Sequence, residues 1–227
     1  MRALVIEHDP DVPAGLVGGW LSGRGADVEL WRIATDAGEQ DPFAHDLIVT
    51  LGSEAAAYDD AIPWVAREQR LLRDAFEAGV PVLGICFGGQ LLARALGGGA
   101  MRAERSEIGW LAIESRDPSL VPRGPWLQWH HDTFTVPAGA TLLADSPAGP
   151  QAYTIGRSLG VQFHPEVTPE IVAGWVTDAR EELDRERVDS DRLLADTRRL
   201  DGENRAGALA LFDAFHDRVA LIGAAAT

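Results

Sequence analysis

Cys86 is the one cysteine in the 227-residue chain, and its surroundings suit a thiol that reacts. An apolar, strand-like run from Val80 to Ile85 leads into it, and a helical pattern follows at once, from about Phe87 to Leu96. A residue at such a strand-to-helix turn is held in a strained, exposed backbone conformation, as in the nucleophile elbow of hydrolases. Gly84 and Gly88, two positions to either side, remove side chains where strand and helix must cross closely. Free N–H groups at the helix start and the positive end of its dipole favour the thiolate, which is the nucleophilic form. A lone cysteine in a core strand is more often structural, but a packed core cysteine needs neither flanking glycine.

A thiolate that expels an amine needs a proton carrier. His164 and Glu166 supply one at the end of a second strand-like run, Leu159 to Phe163. Residues two apart in an extended segment project to the same side, so the carboxylate can hold one imidazole nitrogen while the other faces the sulfur. Pro165 between them stiffens the presentation. The remaining histidines make weaker candidates. His130 and His131 are adjacent and face opposite ways on a strand, which suits one metal ion poorly. His8, His45 and His216 have no partner visible in the sequence and are expected to be structural or exposed, and Trp110, Trp126 and Trp129 are expected to be core.

These residues have to be carried by something. Strand-like runs at Ala3–Glu7, Asp27–Ile33, Asp46–Thr50 and Val80–Ile85 alternate with helical patterns over Val12–Arg24 and from Pro63 to about Ala78, the last closed by Gly79. Strands separated by helices argue for a parallel sheet covered on both faces. From about residue 107 to 162 the runs are shorter and punctuated by Pro and Gly: Gly109–Glu114, Trp126–Trp129, Thr141–Ala144, Ala152–Ile155 and Leu159–Phe163. They are expected to extend the same sheet as antiparallel or edge strands. From Thr168, an N-cap followed by Pro169, the chain reads as helical and charged, with Arg180–Arg187 a solvated face carrying i,i+4 pairs. The whole chain, 1–227, is expected to be one α/β domain with a helical C-terminal extension from about residue 168.

Composition narrows the chemistry further. The formal net charge is −15, so phosphate backbones repel the chain and nucleic acid is not an expected partner. Every basic residue is arginine, which excludes the P-loop lysine and a lysine Schiff base to pyridoxal phosphate. A single cysteine permits no internal disulfide and no multi-cysteine zinc site, which fits a reducing compartment. The N-terminal run is too short for a signal peptide, and no stretch approaches the roughly 20 apolar residues of a membrane span. A cytoplasmic protein with no cofactor, no metal and no membrane partner is the expectation.

The segments Gly84-Ile85-Cys86-Phe87-Gly88-Gly89-Gln90 and Gln162-Phe163-His164-Pro165-Glu166 resemble the two signature motifs of the class I (triad) glutamine amidotransferase family. The stretches Trp129–Phe134 and Tyr153–Gln162 look like its single-domain branch, similar to the glutaminase domain of GMP synthase. The resemblance implies a flavodoxin-like three-layer fold and catalysis by Cys86, His164 and Glu166 through a γ-glutamyl thioester on the cysteine. It further implies an oxyanion hole from the backbone of Gly52 and Phe87, and substrate contacts from Gln90 and from His131 beside the amino-acid pocket. Two positions depart from the family pattern: Leu51-Gly52-Ser53 replaces Gly-Gly-Pro, and His131 stands where a small residue is usual. The implied partners are glutamine or another γ-glutamyl compound and a synthase that accepts ammonia. The alternatives are a stand-alone γ-glutamyl peptidase, a binding or regulatory protein of the same fold, and acyl transfer to an amino-acid hydroxyl.

Overall fold

Runs that are apolar at every position become inner parallel strands, because both of their faces are covered. The computed structural model describes residues 1–221. In it β1 (Arg2–Glu7), β3 (Leu47–Thr50) and β4 (Val82–Ile85) are buried almost throughout, whereas β2 (Asp27–Arg32) is largely exposed and lies at the sheet edge. These strands pair in parallel in the order β2-β1-β3-β4. The strand order reverses at β1, so a crevice opens beyond the carboxyl ends of β1 and β3, the usual place for a ligand in such sheets.

Alternate strand residues feed two cores. Ala3, Val5, Val49 and Leu83 face α1 (Gly15–Gly23) and the long C-terminal helix, whereas Leu4, Ile6, Ile48 and Val82 face α2 (Pro63–Glu77) and α3 (Phe87–Ala95). The three-layer α/β fold expected from the sequence is therefore observed. Pro63 opens α2 and Gly79, at φ 72°, follows its end, as the sequence signals predict. The first helix starts at Gly15 rather than Val12, because a turn closed by Val12 N–H on the Asp9 carbonyl precedes it.

The middle of the chain departs from expectation in two ways. The runs at Gly109–Glu114, apart from its last residue, and Trp126–Trp129 do not extend the main sheet. Gly109–Leu111, half of the first, belongs to β5 (Gly99–Leu111), which pairs with β7 (Trp126–Thr135) in a separate antiparallel ribbon. Only β6 (Glu114–Ser115), β8 (Thr141–Ser146) and β9 (Gly149–Ile155) form the antiparallel extension. The exposed, charged half of β5 carries no strand-like alternation, so pairing alone makes it a strand. The second departure is Leu159–Phe163, whose strand β10 (Ser158–Val161) is not peripheral. It lies between β4 and β9, parallel to the first and antiparallel to the second.

Thr168 caps α4 (Pro169–Asp178) by accepting from Ile171 N–H. The short α5 (Arg180–Arg185) and the 26-residue α6 (Ser190–Phe215) follow. The segment 180–187 presents the expected solvated face, with Leu183 alone turned inward to a cluster with Leu127, Val172 and Trp175, but the i,i+4 pairs expected on it are not formed among the described residues. Helically spaced ion pairs are formed in α6 instead, by Arg192 with Asp196 and by Arg205 with Asp201. Among the described residues no helix is long and apolar enough to cross a membrane.

Candidate active site

Cys86 follows β4 directly and caps α3 with φ 53° and ψ −111°, a conformation that a side-chain-bearing residue adopts only when its surroundings impose it. Three backbone hydrogen bonds do so. Cys86 N–H donates to the Val161 carbonyl (2.8 Å), Gln90 N–H to the Cys86 carbonyl (3.0 Å), and Gly88 N–H to the Leu51 carbonyl (3.0 Å). The flanking glycines are sterically required. A methyl group at Gly84 would lie 2.7 Å from the Gly88 carbonyl oxygen, and one at Gly88 would collide with the Thr50 carbonyl. The elbow read from the sequence is thus built as expected, with Cys86 only 6% exposed.

The parallel pairing of β10 with β4 brings the second motif to the first. Val161 sits opposite Ile85, so the chain leaving β10 passes Cys86. His164 N–H donates to the Leu127 carbonyl (2.9 Å), which ties the segment to β7. The His164 Nδ1 lies 2.7 Å from Glu166 Oε1, and its ring meets Trp175 edge-on at 4.9 Å. With Nδ1 donating to the carboxylate, Nε2 is the nitrogen available to the Cys86 thiol. Burial pushes the His164 imidazole down, but the Glu166 carboxylate, the Cys86 sulfur and hydrogen bonds to both lift it well above its ordinary value. Sequence spacing had put His164 and Glu166 on one side of the strand end, and they meet there. Glu166 Oε2 is buried without a hydrogen-bond partner among the described residues.

Gly52 closes the third side. A Cβ there would come 3.0 Å from His164 Cε1 and 3.8 Å from Cys86 Cβ, so only glycine leaves this gap open. Its loop is anchored by the segment that follows β1: the Asp9 carboxylate accepts from Ser53 Oγ (2.8 Å) and Glu54 N–H (3.0 Å), and the Gly52 carbonyl accepts from His8 Nδ1 (3.0 Å). Phe87, the residue after the cysteine, is buried and also lines the pocket.

The pocket over these groups holds about 470 Å³, within the roughly 300–1,000 Å³ of small-molecule sites. Gln90 lies at its floor, 3% exposed, with Nε2 donating to the Asp132 carbonyl (3.2 Å) and Gln162 Oε1 (3.1 Å). Gln162 in turn directs its Nε2 to the Cys86 sulfur at 3.6 Å. His131 lines the rim, its Nδ1 on Ser106 Oγ (2.6 Å) and its Nε2 on Glu182 Oε1 (2.8 Å). The same Glu182 oxygen accepts from Trp129 Nε1 at 3.1 Å, so Trp129 is a pocket wall rather than core. Trp126 by contrast is core, stacked on Phe163 at 4.7 Å. The neighbouring His130 bonds Glu107 (3.2 Å) and the Asp132 carbonyl (2.9 Å). Among the described residues no group of three or more His, Cys, Asp or Glu is arranged to hold a metal ion.

Sequence reading missed several contributors. Glu182 lies in a segment whose composition resembles a solvated helix. His8 and Glu68 are 60 residues apart, a separation at which no local pattern reports a contact. Only Gln162 had a usable signal, since it stands two residues before His164 and so shares its side of the strand. The far wall of the pocket is acidic: Asp11, Glu54, Asp178 and Glu182 all line it. Burial first, and then repulsion from the carboxylates of Asp11, Asp9, Glu182 and Asp178, push the Glu54 carboxyl above its usual range.

A doubly wound sheet with a cysteine elbow and a histidine–glutamate pair at neighbouring strand ends is an architecture for acyl chemistry on a thiol. Comparison with known proteins identifies the family. The model of the glutamine amidotransferase class-I family matches residues 20–172, and the chain belongs to that family. Among curated relatives, the GMP synthase [glutamine-hydrolyzing] of Vibrio vulnificus is 29% identical over 153 residues, covering 63% of this chain and 28% of the relative. That of Chromobacterium violaceum is 38% identical over 111 residues, 41% of this chain and 21% of the relative. The chain thus spans only about a quarter of the length of these relatives. Among solved structures, a glutamine amidotransferase from Thermotoga maritima superposes with a TM-score of 0.86 at 26% identity, covering 96% of this chain and 98% of that one. One from Methylobacillus flagellatus gives 0.88 at 25% identity, with 95% and 94% covered.

Proposed function

We propose that the protein hydrolyses the γ-amide of glutamine through a γ-glutamyl thioester on Cys86 and releases ammonia to an acceptor protein. The observation that carries this reading is the convergence of the strained Cys86 elbow and the His164–Glu166 pair on one pocket. The Cys86 sulfur attacks the carboxamide carbon, and the carbonyl oxygen takes the developing charge between the backbone N–H groups of Gly52 and Phe87. His164 delivers the proton to the departing nitrogen, ammonia leaves, and the thioester remains. Water then attacks the thioester as His164 accepts its proton, glutamate is released and the thiol is restored. Glu166 keeps Nδ1 protonated and stabilises the imidazolium. Gln90, with Nε2 committed inside the protein, offers Oε1 to the substrate, and His131 bounds the site. Residues 1–227 act as one unit in this scheme, because α4 and α5 contribute pocket walls.

A second reading, a γ-glutamyl peptidase, is favoured by the acidic far wall. Carboxylates of Asp11, Glu54 and Asp178 beyond the nucleophile suit a γ-glutamyl compound whose leaving amine carries positive charge. One experiment separates the readings: glutamate release from glutamine and from γ-glutamyl dipeptides, with wild type and Cys86→Ala side by side. Glutamine turnover lost in the mutant supports the first reading, and dipeptide turnover without glutamine turnover supports the second. Activity that survives in Cys86→Ala overturns both.

A further inference from the structure

Behind the Gly52 loop lies a second buried histidine–glutamate pair that the scheme above does not use. His8 follows β1 and Glu68 projects from α2; both side chains are fully buried. His8 Nε2 is 2.7 Å from Glu68 Oε2, and Thr50 Oγ1 donates to Glu68 Oε1 at 2.5 Å. The other nitrogen, Nδ1, is 3.0 Å from the Gly52 carbonyl. A carbonyl can only accept, so Nδ1 carries a proton. The ring packs against Trp64 (5.1 Å) and Phe87 (4.7 Å, edge-on), which also touch each other at 5.6 Å. One imidazole therefore touches both residues assigned to the oxyanion hole, Gly52 by a hydrogen bond and Phe87 by its ring.

We propose that His8, oriented by Glu68, is a positioning residue that fixes Gly52 and Phe87 so that their backbone N–H groups face the developing oxyanion. The proposal rests on the amide-hydrolase reading. Burial pushes the His8 imidazole down, but the Glu68 carboxylate and the hydrogen bonds to Glu68 and Gly52, with Asp9 nearby, leave it above its ordinary value. That favours the ring that donates at both nitrogens, the form both contacts require. His8 cannot serve as a proton carrier, because neither nitrogen is directed into the pocket. Its effect must pass through the loop.

Two substitutions divide the contacts. In His8→Asn the amide nitrogen takes the place of Nδ1 and keeps the bond to Gly52. In His8→Gln the longer chain reaches toward Glu68 and releases Gly52. Each variant is assayed for glutamate release on the substrate that wild type turns over, and for alkylation of Cys86 by iodoacetamide, a displacement that forms no oxyanion. We expect kcat in His8→Gln to fall about 10- to 100-fold, less than the ~10²–10³ for deleting a donor outright. KM should stay within about twofold, and His8→Asn should retain kcat within about fivefold. Alkylation rates should match wild type in both. An unchanged kcat in His8→Gln, equal losses in both variants, or alkylation falling together with kcat overturns the proposal, the last because it marks a collapsed site. If His8→Gln does not fold, a His8→Asn variant that folds but has lost more than about tenfold in kcat overturns it as well. Failure of the parent reading looks different: wild type is then silent on every amide, or Cys86→Ala remains active, and the proposal falls with it.

Discussion

The two buried histidine–glutamate pairs are close to identical as local chemistry and, in the proposed mechanism, opposite in use. In each, an imidazole nitrogen lies 2.7 Å from a glutamate oxygen, and in each the carboxylate lifts the histidine above its ordinary value against the pull of burial. They differ at the second nitrogen. His164 has Glu166 on Nδ1 and presents the other side of its ring to the Cys86 sulfur in an open pocket. His8 has Glu68 on Nε2 and a backbone carbonyl on Nδ1, an acceptor that never gives up a proton or takes one at neutral pH. A perturbed titration alone therefore does not identify a catalytic histidine. What the free nitrogen faces decides whether the ring moves protons or holds a loop.

The sharpest way to break this contrast is to remove each ring's function in turn. His164→Ala should lower turnover by about 10³- to 10⁴-fold, as loss of a triad member does. A loss of no more than about 100-fold in glutamate release would place His164 with His8 as a positioning group. Glu166→Gln comes next: we expect a drop of about 10²-fold or more in kcat with KM nearly unchanged, since the base loses its orienter and not its substrate. Glu68→Gln, the matching change in the other pair, should cost no more than about tenfold, because the amide still reaches His8. A Glu68→Gln loss equal to that of Glu166→Gln would erase the distinction.

Stability against pH sharpens the comparison further. Both histidines hold their protons more tightly in the folded chain than in the unfolded one. Such a group stabilises the fold fully below the unfolded value of about 6.5, and that contribution is lost as pH rises through the higher folded value. Melting temperatures should therefore decline from about pH 6.5 upward, and less steeply in His8→Asn, which has one such group fewer; parallel curves would remove His8 from the linkage. The smallest effect belongs to a change outside both pairs. Thr168→Ala removes the cap of α4, the helix that carries Trp175 against His164, and should cost about 1 kcal/mol in denaturant unfolding. Turnover should stay within about twofold; a larger loss would make the Trp175 contact part of the chemistry.

Much of the site could be read from the sequence because its parts are local. The Cys86 elbow is defined by glycines two residues away, and His164 and Glu166 are separated by a single proline. Such short-range relations follow from backbone geometry alone. The strand–helix alternation of the first half was legible for the same reason, since each apolar run and each helix signal is complete within its own window. The middle was not. The charged half of β5 has no period to recognise, and β10 has the composition of any buried strand, so nothing in it says that it inserts beside β4.

The sequence by itself determined the Cys86 elbow, the pairing of His164 with Glu166 and the α/β class, because each is written in spacings of a few residues. Tertiary structure alone decided that Glu182 leaves a helix of solvated composition to fasten Trp129 and His131 into a pocket wall. It also decided that His8 meets Glu68, Gly52 and Phe87 under the loop. Those contacts join segments between 44 and about 79 residues apart. The His8 contacts exist only because the parallel crossover connections bring the ends of β1, β3 and β4 together at one edge of the sheet, and the Glu182 contacts only because α5 packs beside the β5–β7 ribbon, consequences of packing that no local window of the chain contains.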